Sequence, residues 1–404
     1  MAFFNKPKTA FIFSGGGSRG SYQIGVWKGL REVGIKPNMI FGTSVGAINA
    51  TMVVLNDIES AEKLWTELDT EEIFDISPDD KSLEKGSGNL FGISMEEAYG
   101  YAREVITKGG AGSNGMYNIL KKYIDEDKFR KSKVQYGMVT TSLPNFEPYK
   151  LYTEDIPKGQ LHKYIQASAS CFPVAQTCQI GDKKFVDGGY TDNLPIGMAL
   201  SKGAERIIAV DLQAVGRVNE EELKYAQTNT DFKLIRAGFD LGNFLSFNPE
   251  VAKNNLRYGY LDGLRAFDKI DGEIYSFKKG SIEHEMLPFA EAAASIFAVD
   301  GREIYTPKTL DQELKVKVLD AQVNLHRNPL KINGPIGVPN WELIKSKFAG
   351  LNKKVDSKTL VAFIAEELRD KGENSKFNIK AVRDVLSKEI LAARYIVMKG
   401  LLED

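Results

Sequence analysis

Three glycine-framed turns limit what this chain can fold into. Two of them, Gly15-Gly16-Gly17-Ser18-Arg19-Gly20 and Gly42-Thr43-Ser44-Val45-Gly46, each follow a short β-prone run and open a helical pattern. The runs are Thr9-Ala10-Phe11-Ile12-Phe13 and Pro37-Asn38-Met39-Ile40-Phe41; the third turn, Asp187-Gly188-Gly189, follows Lys184-Phe185-Val186. A strand that turns into a helix through G-x-S-x-G holds its serine in a strained bend, and small neighbours leave the hydroxyl accessible. A glycine-rich strand–helix turn one unit upstream presents free backbone N–H groups at a helix N-terminus, which suit an anion. A nucleophile beside an anion site is the plan of an acyl-transfer enzyme.

From Thr9 to about Leu212, short apolar runs alternate with helical stretches, the pattern of an α/β fold with parallel pairing. Further strands are expected over residues 134–141, 184–186 and 206–212. The last is almost continuously apolar, as suits a strand covered on both faces. The helix from Ser21 carries Ile24, Val26, Trp27, Leu30 and Val33 on one side. At 404 residues the chain exceeds the usual single domain. The expected division is a hydrolytic α/β domain over 1–280 and a helical region over 281–404. Between Lys81 and Gly115 eight glycines interrupt weakly helical pieces, giving either a mobile cap over the site or a solvated excursion. Past Lys279 strands are expected to stop, with helical spacing over 283–298, 309–325, 341–351, 357–368 and 379–402.

The residues from Phe13 to Val26 (Phe13-Ser14-Gly15-Gly16-Gly17-Ser18-Arg19-Gly20-Ser21-Tyr22-Gln23-Ile24-Gly25-Val26) are followed by Gly42-Thr43-Ser44-Val45-Gly46-Ala47-Ile48-Asn49-Ala50. Then come Ala167-Ser168-Ala169-Ser170-Cys171-Phe172-Pro173 and Val186-Asp187-Gly188-Gly189-Tyr190-Thr191-Asp192-Asn193-Leu194-Pro195. In this order they resemble the patatin-like phospholipases, and most of all the bacterial branch. The similarity covers roughly the first two thirds of the chain, and ordered motifs are more specific than any one alone. The resemblance implies a three-layer α/β/α sheet and a Ser–Asp dyad of Ser44 and Asp187. It implies an oxyanion site in the backbone N–H groups of Gly15, Gly16 and Gly17, joined by that of Val45. Gly20, Gly42, Gly46, Gly188 and Gly189 then shape the turns. Arg19 either neutralises a phosphate, shapes the loop or pairs with a surface acid.

Other chemistries fit less well. Gly15–Gly20 satisfies G-x-G-x-x-G, but a dinucleotide site wants a carboxylate at the end of the second strand, where this chain has Gly42-Thr43-Ser44. The three histidines, His162, His284 and His326, lie outside every glycine turn, so none is expected to serve as the base. Asp192 and Asn193 read as loop-fixing residues. Cys171 and Cys178 fit no zinc spacing and are expected to be small buried residues. No metal or organic cofactor is implied. The net charge of −1 gives no reason to expect nucleic acid, and no apolar run reaches bilayer length. The polar N-terminus does not read as a signal peptide, so cytoplasmic residence is expected. The expected partner is a lipid or other acyl ester, with peripheral membrane contact as an option; oligomeric state is not legible. In 379–402, Ile379, Val382, Leu386, Ile390, Tyr395 and Val397 alternate with basic residues, diluted by Asp384 and Glu389. That pattern fits a membrane-surface helix or, preferred here, one whose apolar side docks on the α/β domain.

Overall fold

Strand β1 (Thr9–Phe13) is buried along its whole length, and its side chains divide between two cores. Phe11 and Phe13 enter one apolar cluster, Ala10 and Ile12 another on the opposite face, as the two-residue period of a strand requires. The computed structural model describes residues 7–68, 72–73, 114–171, 174–328 and 356–403. After β1 come α1 (Ser21–Glu32), β2 (Met39–Thr43), α2 (Val45–Leu55), α3 (Ile58–Glu67), α4 (Asn114–Tyr123) and α5 (Glu126–Lys131). Then follow β3 (Gln135–Leu143), β4 (Glu147–Tyr152), α6 (Leu161–Ser168), β5 (Cys178–Ile180) and β6 (Lys183–Asp187). α7 (Ile196–Ser201), β7 (Arg206–Val210), α8 (Glu220–Asn229), β8 (Asp231–Ile235) and α9 (Pro249–Arg265) complete the first of two compact units, Met1–Phe267 and Asp268–Asp404.

The main sheet has the order β5-β6-β3-β2-β1-β7-β8, with β4 also on β3. Its centre, β3-β2-β1-β7-β8, is parallel, and β4, β5 and β6 add antiparallel pairings. One face is covered by Tyr22, Val26, Trp27 and Leu30 of α1 and by Ile48, Met52 and Val53 of α2. The other is covered by Ile196 and Met198 of α7 and Leu223 and Ala226 of α8. Helices on both faces of a mostly parallel sheet make the expected three-layer α/β/α arrangement. β3 runs two residues past the expected end, and β7 ends two residues early, where Asp211 opens a loop.

In the first unit α1 and α9 touch backbone to backbone. Gly25 and Gly29 on α1 face the carbonyls of Leu256 and Tyr260, and Gly259 and Gly263 on α9 face those of Tyr22 and Val26. Any Cβ at these positions would overlap main chain, so only glycine allows the approach.

The second unit opens with β9 (Ile270–Asp271) and β10 (Ser276–Lys278), followed by α10 (Leu287–Ile296) and β11 (Ile304–Tyr305). It closes with α11 (Pro307–Arg327), α12 (Ser357–Lys371), α13 (Lys380–Val385) and α14 (Ser387–Met398). Two expectations are corrected here. Strands do not stop at Lys279: Ile304–Tyr305 pairs parallel with β10, and a two-residue strand has no period to read. The pattern over 379–402 is two helices, divided at the buried Leu386. The apolar side of α14 packs on α10 and α12 of its own unit. Most of the glycine-punctuated stretch from Lys81 to Gly115, and the segment 341–351, lie outside the described residues.

Candidate active site

The pairing along β3 brings two strand ends together. β2 runs parallel to β3 with Thr43 opposite Val139, and β6 runs antiparallel with Asp187 opposite Thr140. β4 occupies the other edge, so β2 and β6 meet end to end along one edge of β3. The residues at the meeting point are Ser44 and Asp187, and Ser44 Oγ donates to Asp187 Oδ2 at 2.6 Å.

Ser44 has φ 56° and ψ −127°, a conformation that costs a non-glycine residue about 1–3 kcal/mol. Its surroundings hold it there. The Ser44 N–H donates to Ser168 Oγ at 2.9 Å, and its carbonyl accepts the amides of Ala47 (2.9 Å) and Ile48 (3.3 Å) in the first turn of α2. Gly42 and Gly46 pack against main chain, Gly42 on the Gly46 carbonyl and Gly46 on that of Phe13. α2 can thus start directly over β1 and β2.

Asp187 is buried, and its carboxylate has two partners: Ser44 Oγ, and the Gly189 N–H, which donates to Oδ1 at 2.8 Å. Burial pushes its pKa up to about 6, against the lowering effect of those two hydrogen bonds. A carboxyl with a pKa of about 6 is a far better base than a solvated aspartate. The Asp187 backbone is fixed by N–H donation to the Ser170 carbonyl (2.9 Å) and by Thr141 Oγ1, which donates to its carbonyl at 2.8 Å. Gly188 lies against the Val139 carbonyl, where a Cβ would not fit. Cys171 is half-buried rather than buried as expected, whereas Cys178 is buried; both are free. Burial of its thiol, and then the Asp187 carboxylate, push Cys171 up to about 12.

The Gly15–Gly17 loop reaches the same point. A Cβ on Gly15 would lie 3.1 Å from Ser44 Cβ. The Gly15 N–H itself donates to the Asn193 carbonyl at 3.2 Å, whereas the amides of Gly16, Gly17 and Val45 have no hydrogen-bond partner among the described residues. Gly17 has φ +57°, open to glycine at no cost. Gly20 packs against Val45 and Trp65. Arg19 shapes the loop: its guanidinium donates to the carbonyls of Gly242 (2.8 Å), Leu212 and Gln213 (3.4 Å each). Asn193 links the loops, accepting from Gly15 through its carbonyl and packing its side chain against Gly15 and Gly189. Asp192 accepts from Thr43 Oγ1 through its own carbonyl at 2.8 Å and pairs with Lys150 at 3.0 Å.

A polar network whose roles are not legible in the sequence joins the turns. Gln23 Nε2 donates to the Ser14 carbonyl (2.8 Å); Asn49 Nδ2 donates to the Gly20 carbonyl (2.8 Å) and to Gln23 Oε1 (2.9 Å). Trp65 Nε1 donates to Asn49 Oδ1 at 2.9 Å. The available signal was polar Gln23 and Asn49 inside otherwise apolar helix faces. His162 is buried, with Nε2 2.8 Å from the Ile124 carbonyl. His284 and His326 belong to the second unit. No histidine is hydrogen-bonded to Ser44 among the described residues, and no group of three or more His, Cys, Asp or Glu able to hold a metal occurs among them.

Residues 11–200 match the family model described as patatin-like phospholipase. Lysophospholipase NTE1 of Candida glabrata is 24% identical over 64% of this chain and 13% of its own length. Patatin-like phospholipase domain-containing protein 7 of Rattus norvegicus is 29% identical over 53% of this chain and 14% of its own. The chain therefore spans about a seventh of the length of these curated relatives, which come from a yeast and a rodent rather than from the bacterial branch. Among solved structures, VipD from Legionella pneumophila aligns over 99% of this chain and 92% of its own, with 13% identity and a TM-score of 0.39. Over residues 11–200 the chain is thus similar to the patatin-like phospholipases.

Proposed function

We propose that this chain hydrolyses acyl esters of lipids through an acyl-serine intermediate. The observation that carries the reading is the 2.6 Å hydrogen bond from Ser44 Oγ to a buried carboxylate of raised pKa. Ser44 Oγ attacks the ester carbonyl carbon while its proton passes to Asp187 Oδ2. The negative charge formed on the carbonyl oxygen is met by the N–H groups of Gly16 and Gly17, joined by that of Val45 at the start of α2. Gly15 contributes through its missing side chain, since its N–H is engaged with Asn193. The tetrahedral intermediate collapses, the C–O bond to the alcohol breaks, and Asp187 returns the proton to the leaving alkoxide. Water then attacks the acyl-enzyme with Asp187 again taking the proton, which releases the fatty acid and regenerates Ser44. The relatives named as lysophospholipases support a phospholipid or lysophospholipid as the substrate class.

The test is hydrolysis of lysophospholipid, phospholipid vesicles and a soluble short-chain ester by wild type and Ser44→Ala, with fluorophosphonate labelling of both. The expected result is hydrolysis of the lipid substrates and labelling of wild type only, with Ser44→Ala folded and reduced by several orders of magnitude. Activity of Ser44→Ala at the wild-type level would end the proposal. Turnover of the soluble ester alone would move the substrate class to soluble acyl esters.

A further inference from the structure

Resting on the Ser44–Asp187 reading above, we propose that Ser168 is a positioning residue for this reaction, holding the nucleophile's strained backbone by its amide. The tract Ala167-Ser168-Ala169-Ser170 stands out in the sequence, and the hydrolytic steps leave it without a role. Ser168 is the last residue of α6 and has no solvent exposure. Its Oγ donates to the Val139 carbonyl at 2.6 Å and accepts the Ser44 N–H at 2.9 Å. Donation to Val139 fixes where the hydroxyl hydrogen points, and that leaves a lone pair toward Ser44.

Comparison with similar hydroxyls shows why this is more than helix-end packing. Ser170 Oγ donates to the Gln166 carbonyl (2.8 Å) and Thr51 Oγ1 to that of Ile48 (2.6 Å), each within its own stretch of chain. The two bonds of Ser168 reach residues 29 and 124 positions away. Two residues on, the Ser170 carbonyl accepts the Asp187 N–H at 2.9 Å. One short segment therefore grips the backbone amides of both dyad residues. Val139, the other partner of Ser168, lies opposite Thr43 and against Gly188, so the hydroxyl sits where the ends of β2 and β6 meet. With φ at 56°, the Ser44 amide precedes the α2 ladder and needs an acceptor from elsewhere in the fold. Without Ser168 Oγ the bend can relax and carry Ser44 Oγ off its line to Asp187. A displacement of about 1 Å at a reacting atom costs on the order of 100-fold in rate.

The experiment measures kcat, KM and thermal midpoint on a soluble short-chain ester, using full-length protein. Ser168→Ala is expected to lower kcat about 10- to 100-fold with KM little changed. Ser168→Thr, which keeps the hydroxyl, is expected to retain most of kcat. Thr51→Ala removes an equally buried hydroxyl and is expected to lose stability while keeping kcat. A wild-type kcat in Ser168→Ala, or a kcat loss that Thr51→Ala matches at equal loss of stability, overturns the proposal. If Ser168→Ala does not fold, Ser168→Cys replaces it, because a thiol keeps the size but is a weak acceptor; a kcat equal to wild type overturns the proposal there too. Ser44→Ala is assayed alongside. Full activity in that variant sinks the dyad reading itself, whereas an inactive Ser44→Ala beside a fully active Ser168→Ala sinks only this one.

Discussion

Asp187 sits in an environment that works against its charge, and activity and stability should pull in opposite directions there. In the proposed mechanism Asp187 must be ionised to take the Ser44 proton, and burial pushes its pKa up to about 6. The rate should therefore fall as pH drops through about 6 and level off above it, which a pH profile of kcat/KM measures directly. The stability sign is the reverse. An aspartate raised from 3.8 to about 6 binds more protons folded than unfolded between those values, so its favourable contribution is present below about 3.8 and is lost as pH rises through about 6. Asp187→Asn keeps the shape and removes the charge. It should be nearly inactive yet more stable than wild type at pH 8, by on the order of 1–3 kcal/mol. Equal or lower stability at pH 8 would show that lost hydrogen bonds outweigh the relieved charge. Alanine at His162, His284 or His326 should leave substantial activity. Ser44 and Asp187 were legible because each sits in a turn whose glycines announce it. Ser168, Gln23 and Asn49 were not, because their roles arise from residues brought together by the fold.

Elements with an apolar run or a helical period are legible in the sequence, and those with neither are not. β1, β2 and β7 are each built on a short apolar run, and α1 shows its buried side in Ile24, Trp27 and Leu30. The two-residue β11 is too short to show a period, and the break at Leu386 carries no glycine or proline to mark it. Least legible was the seam between α1 and α9. Gly25, Gly29, Gly259 and Gly263 look like weak points in helices, and helix propensity alone gives each Gly→Ala change a gain of about 1 kcal/mol. The packing reverses that sign, because a Cβ at Gly259 would overlap the Tyr22 carbonyl oxygen. Gly259→Ala should destabilise by about 1–3 kcal/mol or more, read from denaturant unfolding. A more stable variant would mean that the helices separate at little cost.

The last helices complete the second unit. Val382, Leu386, Ile390, Tyr395 and Ile396 are buried, and α14 lies on α10 and α12, with Lys388 Nζ donating to Ser295 Oγ (2.7 Å) and Tyr395 OH to Asp311 Oδ1 (2.7 Å). Each large apolar side chain so buried contributes about 1.5–3 kcal/mol. Deleting everything after Gly372 should lower the thermal midpoint and the soluble yield, and hydrolysis of a soluble ester should fall along with that of vesicles. A truncated protein with full stability and soluble-ester activity that no longer binds vesicles would instead assign this end to the membrane surface. The seam between α1 and α9 bears on how the protein is made. α1 leaves the ribosome ahead of α9, whose backbone it needs and which follows about 230 residues later. At translation speeds of roughly 5–20 residues per second, the glycine-lined side of α1 waits on the order of 10–50 s for its mate. During that interval the nascent chain carries α1, and the glycine-rich loop that leads into it, without the helix that covers its glycine-lined side.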